Sequence, residues 1–389
     1  MILENYKGRE QAFIKHNLLK QYLQRLFLII GQHAKVICYV DCFAGPWQEG
    51  SPDLNDTSIS ISLNIISECK KTLLEKMSKD VKFRALFIEK NQNAYKKLKL
   101  FLESKKWSNI ETKPMHGDFY NLRDSICQWC DDDSFVFFFI DPTGWKDVVE
   151  IETLKPLLQR RNAEYLINFM FDFIRRTYGQ PAFEDHIRKI FGKIPNIENM
   201  TPLQREEYLI KLYLQQLKNA QPQDYGKPRS AYVKVLYPLK DRTYYNLVYL
   251  TRHPLGIKIF MEESEKLDLI QKKVRAQVKH DHRIRKSGQW ELFGVDNAAV
   301  IKEHVIDLSE VKNFWLKKLS LTPKQFGLEE LADMLEETGW FVSNFQSAFK
   351  ELEIEGKVKN CDSIKKRPKN VVNFLANNNL GEYLMRIKQ

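Results

Sequence analysis

Short, continuous apolar runs alternate with longer segments in which apolar residues recur every three or four positions. Runs of four to eight apolar residues are typical of strands buried on both faces, and the longer spacing is typical of amphipathic helices. The helical pattern is clearest over residues 10–32 and 58–76. The predicted strands are 36–40, 83–88, 110–115, 135–140 and 165–170. This alternation predicts an α/β fold with a doubly wound, Rossmann-like parallel sheet.

The pattern changes after the fifth predicted strand. Residues from about 175 to 228 predict a largely helical insertion. Two further apolar runs, 231–237 and 244–250, then predict an antiparallel hairpin at the edge of the sheet. Five parallel strands closed by a late hairpin is the arrangement of class I methyltransferases.

The carboxyl-terminal part of the chain predicts a separate small domain. A helix is expected to start at Thr322, and a glycine turn at Gly339 leads to a second helix. Strands at 358–360 and 371–374 are predicted to pair as a hairpin, which completes the outline of a winged helix. We therefore expect three regions, namely a methyltransferase-like Rossmann domain at 1–265, a basic helical linker at 266–312 and a winged-helix domain at 313–389.

Composition adds a preference for polyanionic partners. The 389 residues include 61 Lys and Arg against 50 Asp and Glu, which gives a net charge of +11. Such a basic balance favours nucleic acid, and the excess is concentrated at 266–286 and 365–369. No apolar stretch approaches the roughly 20 residues of a membrane helix, and the amino terminus lacks a signal-peptide pattern. We therefore expect a cytoplasmic protein with no membrane partner.

Two predicted strands end in an aspartate beside a glycine. The first runs into Asp41 and the turn to Gly45, and the fourth runs into Asp141, Pro142 and Gly144. Parallel strands bring their carboxyl ends to one edge of the sheet, where open α/β folds bind ligands. The two breaks therefore predict a nucleotide-like ligand beside a reaction site.

S-adenosylmethionine fits the polar groups at this edge. Its amino group is expected near Asp41, its ribose hydroxyls near Glu89 and its adenine near Asp118, while Gly45 lets the backbone approach. The full set of expected cofactor-binding residues is Asp41, Phe43, Ala44, Gly45, Glu89 and Asp118. An alternative is open for the aspartates, because Asp at a strand end often caps the next helix.

The expected catalytic residues are Asp141, Pro142 and Trp145. A carboxylate and a rigidly placed proline-segment carbonyl can accept the hydrogens of an exocyclic amine and turn its lone pair toward the methyl group. An aromatic side chain can stack on an extruded base, for which Trp145, Phe171 and Tyr178 are candidates. For Trp145, simple covering of the core is the alternative.

Several spaced motifs resemble those of the three-Cys-motif partner proteins. They include Lys15-His16, the turn from Asp41 through Gly45-Pro46, Phe87-Ile88-Glu89, Asp141-Pro142-x-Gly144 and the later run from Tyr244 to Gly256. The resemblance covers residues 10–265. It implies a class I methyltransferase-like domain and a separate partner protein with a three-cysteine, radical-SAM-like motif.

The sequence departs from that resemblance at two places. Trp47 stands where a glycine is expected after Gly45-Pro46, and the Asp141 motif continues Thr-Gly-Trp rather than Pro-aromatic. Cys127 and Cys130 form a lone CxxC with no second pair at zinc spacing, so no metal site is expected. The two cysteines are instead expected near a helix end before a strand.

The predicted winged helix supplies the expected nucleic-acid contacts. Lysines and an arginine on its second helix and its hairpin are expected to contact phosphate, which gives salt-dependent affinity. They are Lys350, Lys365, Lys366, Arg367 and Lys369. Winged helices also dock proteins, which is the alternative.

Two hypotheses follow for the whole chain. The first is a methyltransferase that uses S-adenosylmethionine on DNA or RNA, with the winged helix recruiting the substrate. The second is a catalytically silent nucleic-acid-binding adaptor that serves a three-Cys-motif partner enzyme. Trp47 distinguishes them, because a ring that fills the cofactor pocket favours the adaptor.

Overall fold

The computed structural model describes residues 6–45, 57–104, 107, 109–142, 144, 147–287, 306–363, 367 and 369–388. The chain divides into two units, Met1–Arg252 and His253–Gln389. This division lies upstream of the boundary at residue 265 that the sequence pattern suggested. The segment expected as a basic linker begins inside a long helix of the second unit, Pro254–Ser287.

The first unit alternates strands and helices as the apolar pattern predicts. Its strands are β1 (Val36–Asp41), β2 (Lys82–Glu89), β3 (Ile110–His116), β4 (Phe135–Ile140), β5 (Ala163–Phe169), β6 (Arg229–Leu236) and β7 (Thr243–Thr251). Its α-helices are α1 (Glu10–Ile30), α2 (Ser58–Met77), α3 (Gln92–Ser104), α4 (Phe119–Trp129), α5 (Ile151–Leu158), α6 (Phe171–Thr177), α7 (Glu184–Phe191) and α8 (Pro202–Asn219). A short 3₁₀ turn, Pro181–Phe183, precedes α7.

The seven strands form one mainly parallel sheet in the order β3-β2-β1-β4-β5-β7-β6. Only β7 runs against its neighbours within this sheet of the described residues, because it pairs antiparallel with both β5 and β6. The chain order reverses between β1 and β4, and ligands bind at such a switch point in open α/β sheets. The fold is therefore mixed α/β and Rossmann-like.

Helices start and stop where local chemistry directs them. The Thr201 hydroxyl accepts a hydrogen bond from the Gln204 backbone amide, the side-chain oxygen of Gln204 accepts one from the Thr201 backbone amide, and Pro202 follows the cap. This capping box satisfies amide groups that have no partner within the helix. The central strands are apolar on both faces because helices cover both sides of the sheet; Phe137 and Phe138 are both completely buried.

The second unit contains a small three-stranded sheet and four helices within its described residues. The helices are α9 (Pro254–Ser287), α10 (Leu308–Lys318), α11 (Leu328–Thr338) and α12 (Val342–Ile354), and a single turn covers Ala376–Asn379. The strands are β8 (Lys324–Phe326), β9 (Val358–Asn360) and β10 (Glu382–Arg386), in the sheet order β8-β10-β9. Trp315 lies fully buried among Phe326, Phe345 and Phe349 and donates to the Phe345 carbonyl.

Two details of this unit differ from the sequence prediction. Residues 324–326 form a strand, and the helix expected to start at Thr322 begins at Leu328. The partner of β9 is Glu382–Arg386, not 371–374. The apolar residues Val371 and Val372 misled the pattern: they are buried because they pack inward, without joining a ladder.

Candidate functional site

A cleft of about 820 Å³ lies at the carboxyl ends of β1 to β4. Pockets for small molecules and cofactors commonly measure about 300–1,000 Å³, so a nucleotide-sized ligand fits. The residues lining the cleft that were expected from the sequence are Phe43, Gly45, Glu89, Asp118 and Pro142. Four consecutive strands of the sheet thus deliver residues to one concave surface.

The turn after β1 is held tightly against β2. The Ala44 amide donates to the Ile88 carbonyl over 2.8 Å, and Ala44 is buried. A Cβ on Gly45 would come within 2.0 Å of Oε2 of Glu89. Glycine is therefore required at position 45 if the Glu89 carboxylate is to keep its place.

Asp41 lies beneath this turn and is fully buried. Its oxygens accept from the Phe43 amide over 3.1 Å and from the Ser58 hydroxyl over 2.7 Å. It is not among the described residues that line the cleft. Although the sequence placed Asp41 against the ligand, the structure uses its carboxylate to join the turn to the start of α2.

Burial raises the pKa of Asp41 to about 7, against the opposing effect of the hydrogen bonds from Ser58 and Phe43. The charge of Asp141 acts in the same direction as burial. The carboxyl group therefore gains or loses its proton close to neutral pH, directly under the cleft floor.

Glu89 ends β2 and is a member of the cleft wall. Its Oε1 accepts from the Asn91 amide over 2.6 Å. This bond orients the side chain, and the second oxygen points toward the Gly45 turn. A carboxylate at this position, after the second strand of a Rossmann-like sheet, is suited to accept from ribose hydroxyls.

Asp118 has two structural roles in addition to lining the cleft. It caps α4 by accepting from the Tyr120 amide over 2.9 Å, and it forms an ion pair with Lys90 over 2.7 Å. The hydrogen bond from Lys90 lowers the pKa of Asp118. Beside it, the rings of Phe119 and Phe43 lie 5.2 Å apart and form an apolar part of the wall.

Asp141, at the end of β4, is engaged through both oxygens. Its Oδ2 accepts from the Lys15 ammonium, and its Oδ1 accepts from the Asn168 amide over 2.7 Å. The side chains of Lys15 and Asp141 are 13% and 17% exposed, so the pair is screened from solvent. The sequence pattern identified Asp141 but not these partners, which come from α1 and β5.

Pro142 is buried and lines the cleft, whereas the proposed stacking residues are distributed differently. Trp145 and Trp47 lie outside the described residues. Phe171 is 3% exposed, and the Tyr178 hydroxyl donates to the Pro195 carbonyl. The aromatic side chain of this segment that lines the cleft is Phe173, which the sequence analysis did not select.

Near the same end of the sheet, Asp147, Glu150 and His186 place potential ligand atoms within 4.8 Å of one another. Nδ1 of His186 is 2.5 Å from Glu150, and Lys189 lies 4.0 Å from the other Glu150 oxygen. The cluster is therefore a hydrogen-bonded link from α7 to the start of α5. Cys127 lies in α4 and Cys130 follows its end, before β4, and neither forms a disulfide.

The expected nucleic-acid residues of the second unit differ in availability. Lys350 on α12 and Lys369 are exposed, and Lys365 and Lys366 lie outside the described residues. Arg367 forms a 2.7 Å ion pair with Glu382, which is 3% exposed. Its guanidinium thus anchors β10, which leaves less of its charge for phosphate.

Comparisons with known proteins give no functional name. No family model matches the sequence, and no curated protein matches it. The fold is similar to the crystal structure of protein LPL1258 from Legionella pneumophila, described by the family model DUF519, with 12% identity, a TM-score of 0.36, and coverage of 64% of this chain and 90% of that one. Among the described residues, no helix combines the length and apolar character needed to span a membrane.

Proposed function

We propose that this protein transfers a methyl group from S-adenosylmethionine to nucleic acid. The strand order supports this proposal. A single antiparallel strand inserted between the fifth and sixth strands of a parallel sheet, as β7 is here, is the late hairpin arrangement of class I methyltransferases.

The observation that carries the proposal is the cleft beside β1, β2 and β3. Gly45, Glu89 and Asp118 come from three successive strand ends and meet on one wall. Glu89 offers acceptors for the ribose hydroxyls, and Phe43 and Phe119 offer apolar surface for the adenine. Asp118, which is held by Lys90 and the Tyr120 amide, is assigned in this proposal to accept from the adenine amino group.

In this proposal Asp141 acts next to Pro142, which lines the cleft, at the point where the methyl group leaves the sulfonium. In the proposed step, the lone pair of an amine nitrogen forms the new N–C bond as the C–S bond breaks, and the product thioether keeps the bonding pair. The nitrogen then loses a proton to solvent. A carboxylate has about four lone-pair positions, so Asp141 retains acceptor capacity beyond its bonds to Lys15 and Asn168.

The second unit supports nucleic acid as the acceptor. From α10 onward, the order α10, β8, α11, α12, β9 and β10, with the helical turn at Ala376–Asn379 between the last two strands, supports a winged helix. Lys350 and Lys369 are exposed on this unit. The net charge of +11 favours a polyanion. In this proposal the second unit recruits the substrate.

The test of the cofactor site is calorimetric titration of S-adenosylmethionine into the full chain and into Glu89→Ala. We expect micromolar binding that weakens by about two orders of magnitude in the variant, because two charge-assisted hydrogen bonds are lost. Glu103→Ala, which removes an exposed carboxylate from α3, is the matched control. No binding to the unaltered protein would exclude a free-standing cofactor site.

A second candidate function is a catalytically silent nucleic-acid adaptor for a three-Cys-motif, radical-SAM-like partner. The ion pair between Asp141 and Lys15 favours it, because a carboxylate already engaged through both oxygens also suits a purely structural role. Binding of S-adenosylmethionine without transfer of a labelled methyl group to DNA or RNA would support this adaptor role.

A further inference from the structure

A buried carboxylate holds together a group of arginines near the carboxyl end of β5. Asp172, in the first turn of α6, is 1% exposed. Among the described residues, three arginines place a guanidinium nitrogen within 3.3 Å of it: Arg175 at 2.9 Å, Arg176 at 3.2 Å and Arg242 at 3.3 Å. The Tyr237 hydroxyl also donates to it over 2.8 Å.

The charges of this cluster do not cancel. One carboxylate offsets one of the three guanidinium groups, so Asp172 and its arginines together carry two positive charges. The arginine side chains are 42%, 53% and 38% exposed, respectively, whereas the carboxylate is enclosed. Although burial acts in the opposite direction, hydrogen bonds from Arg175 and Tyr237 lower the pKa of Asp172, so the anchor stays ionised. The outward face is cationic.

Aromatic rings are interleaved with these arginines. The Arg242 guanidinium lies 4.8 Å from the centre of the Tyr237 ring, which in turn lies 4.7 Å from the Tyr244 ring. The Arg176 guanidinium lies 4.6 Å from the centre of the Phe173 ring. Cationic groups combined with aromatic faces are the usual composition of surfaces that hold unpaired nucleotides.

The cluster lies beside the proposed reaction centre within the first unit. Helix α6 follows β5 directly, and the loop between β6 and β7 returns to the same edge, because Phe169 pairs with Asn246. Phe173 belongs to the cluster and also lines the cleft. Asn168, at the end of β5, bonds Asp141. The basic surface is thus continuous with the wall that carries Pro142.

We propose that Arg175, Arg176, Arg242, Tyr237 and Phe173 form the acceptor subsite, which binds an unpaired nucleotide of single-stranded nucleic acid. The arginines hold the phosphates on either side of the target nucleotide, and Phe173 stacks on its base at the mouth of the cleft. This inference rests on the proposed function, since it identifies the acceptor as an unpaired nucleotide.

The test is fluorescence anisotropy with a labelled 15-nucleotide single strand and with a duplex of the same sequence, across a range of salt concentrations. For Arg175→Gln/Arg176→Gln, two lost phosphate contacts reduce the salt slope for the single strand by about 1.4 and the affinity at about 0.15 M salt by about tenfold. We expect the duplex slope to stay unchanged. Arg188→Gln is the matched control, because this exposed arginine of the neighbouring α7 pairs with Glu184.

A second variant separates stacking from charge. Phe173→Leu keeps an apolar side chain but removes the ring, so we expect single-strand affinity to fall by at least about fivefold with no change in salt slope. If the double arginine variant fails to fold, as judged by its thermal transition, the single variants Arg176→Gln and Phe173→Leu carry the test.

Three outcomes would overturn the subsite. The first is a double arginine variant whose salt slope for the single strand is unchanged. The second is an equal loss of slope for the single strand and the duplex. The third is a variant that no longer binds polyglutamate, an acidic polypeptide, but still binds the oligonucleotide. Titration of S-adenosylmethionine into the same variants separates the two proposals. Normal cofactor binding with unaltered oligonucleotide binding removes the subsite alone, whereas absent cofactor binding in the unaltered protein removes the proposed methyl transfer.

Discussion

The carboxylates in the two halves of the sheet edge have different kinds of partners. At the ends of β2 and β3, Glu89 and Asp118 stand on the wall of an open cleft and are oriented mainly by backbone amides and by an exposed lysine. Asp141, at the end of β4, and Asp172, in the first turn of α6 after β5, are engaged by cationic side chains. Lys15 and Arg242 come from distant parts of the chain, whereas Arg175 is a neighbour of Asp172 on the same helix.

This difference indicates a division of roles along one edge. A half with open acceptors suits a diffusible ligand that brings its own donors. A half whose carboxylates are already neutralised holds a fixed geometry and presents surplus positive charge, which suits a bound polyanion. Four substitutions test this comparison, in order of decreasing expected effect.

The largest effect is expected at Asp141. Asp141→Ala removes the carboxylate at the proposed reaction centre, so we expect methyl transfer to fall by about 10³-fold while S-adenosylmethionine binds as before. Radiolabelled methyl incorporation and calorimetry measure the two quantities. Asp224→Ala, which removes an exposed ion-paired carboxylate of the same unit, should leave both unchanged. Equal losses of cofactor binding and transfer would erase the distinction between the two halves.

The next effect concerns the pH dependence of stability at Asp41. Burial raises its pKa to about 7 in the folded state, above the value of about 3.9 in unfolded chains. The folded state therefore binds more protons, so its contribution is fully present below about pH 4 and is lost as the pH rises through 7. Relative to Asp41→Asn, the unaltered protein should lose up to about 4 kcal/mol between pH 4 and pH 8.

Urea denaturation of both proteins across this pH range measures the difference. Asp118→Asn serves as the opposite case, because the hydrogen bond from Lys90 lowers the pKa of Asp118. Its contribution is present above the unfolded pKa and is lost as the pH falls through the folded one. If both variants differed from the unaltered protein with the same sign of pH dependence in the free energy of unfolding, Asp41 and Asp118 would not differ in how they bind protons.

A smaller effect is expected from Lys15→Met. The substitution leaves the poorly exposed Asp141 without its cation, so we expect a loss of about 3 kcal/mol in the free energy of unfolding. Lys15→Met combined with Asp141→Leu removes both charges and should recover most of this loss. A single variant as stable as the unaltered protein would mean that the pair does not hold this half of the edge.

The smallest effect is expected at Gly45. A Cβ there meets the flexible end of Glu89, which moves aside at little cost to folding. We expect Gly45→Ala to weaken S-adenosylmethionine about tenfold while the melting temperature changes little, because one hydrogen-bonding carboxylate is displaced. Unchanged affinity in Gly45→Ala would argue against the role of Glu89.

Local patterns predicted the elements well but their neighbours less well. The strand expected at 135–140 is observed at Phe135–Ile140, because a continuous run of six apolar residues, five of them buried, is typical of a strand. The predicted partner of β9 was wrong, because Val371 and Val372 have the apolar, β-branched character of a strand but are buried without pairing. Strand character is local, whereas pairing depends on which chain segments meet.

The candidate site shows the same limit. Glu89 and Asp118 lie on the cleft wall, because the end of a parallel strand fixes which edge they occupy, and their role in cofactor binding stays a prediction. Asp41 occupies the same kind of strand end but is buried beneath its turn. No sequence signal distinguishes the two situations, because the difference depends on the path of the loop and on Ser58 at the start of α2.

By itself, the sequence determined the order of strands and helices in the first unit, the edge at which the carboxylates emerge and the basic character of the chain. Periodicity, caps and strand ends depend on residues close together in the chain, so they can be predicted from the sequence alone. Only the tertiary structure decided that Lys15 meets Asp141 and that Arg242 joins Arg175 and Arg176 around Asp172. These contacts join residues tens to more than a hundred positions apart, and they depend on strand order and helix packing, which no local pattern encodes.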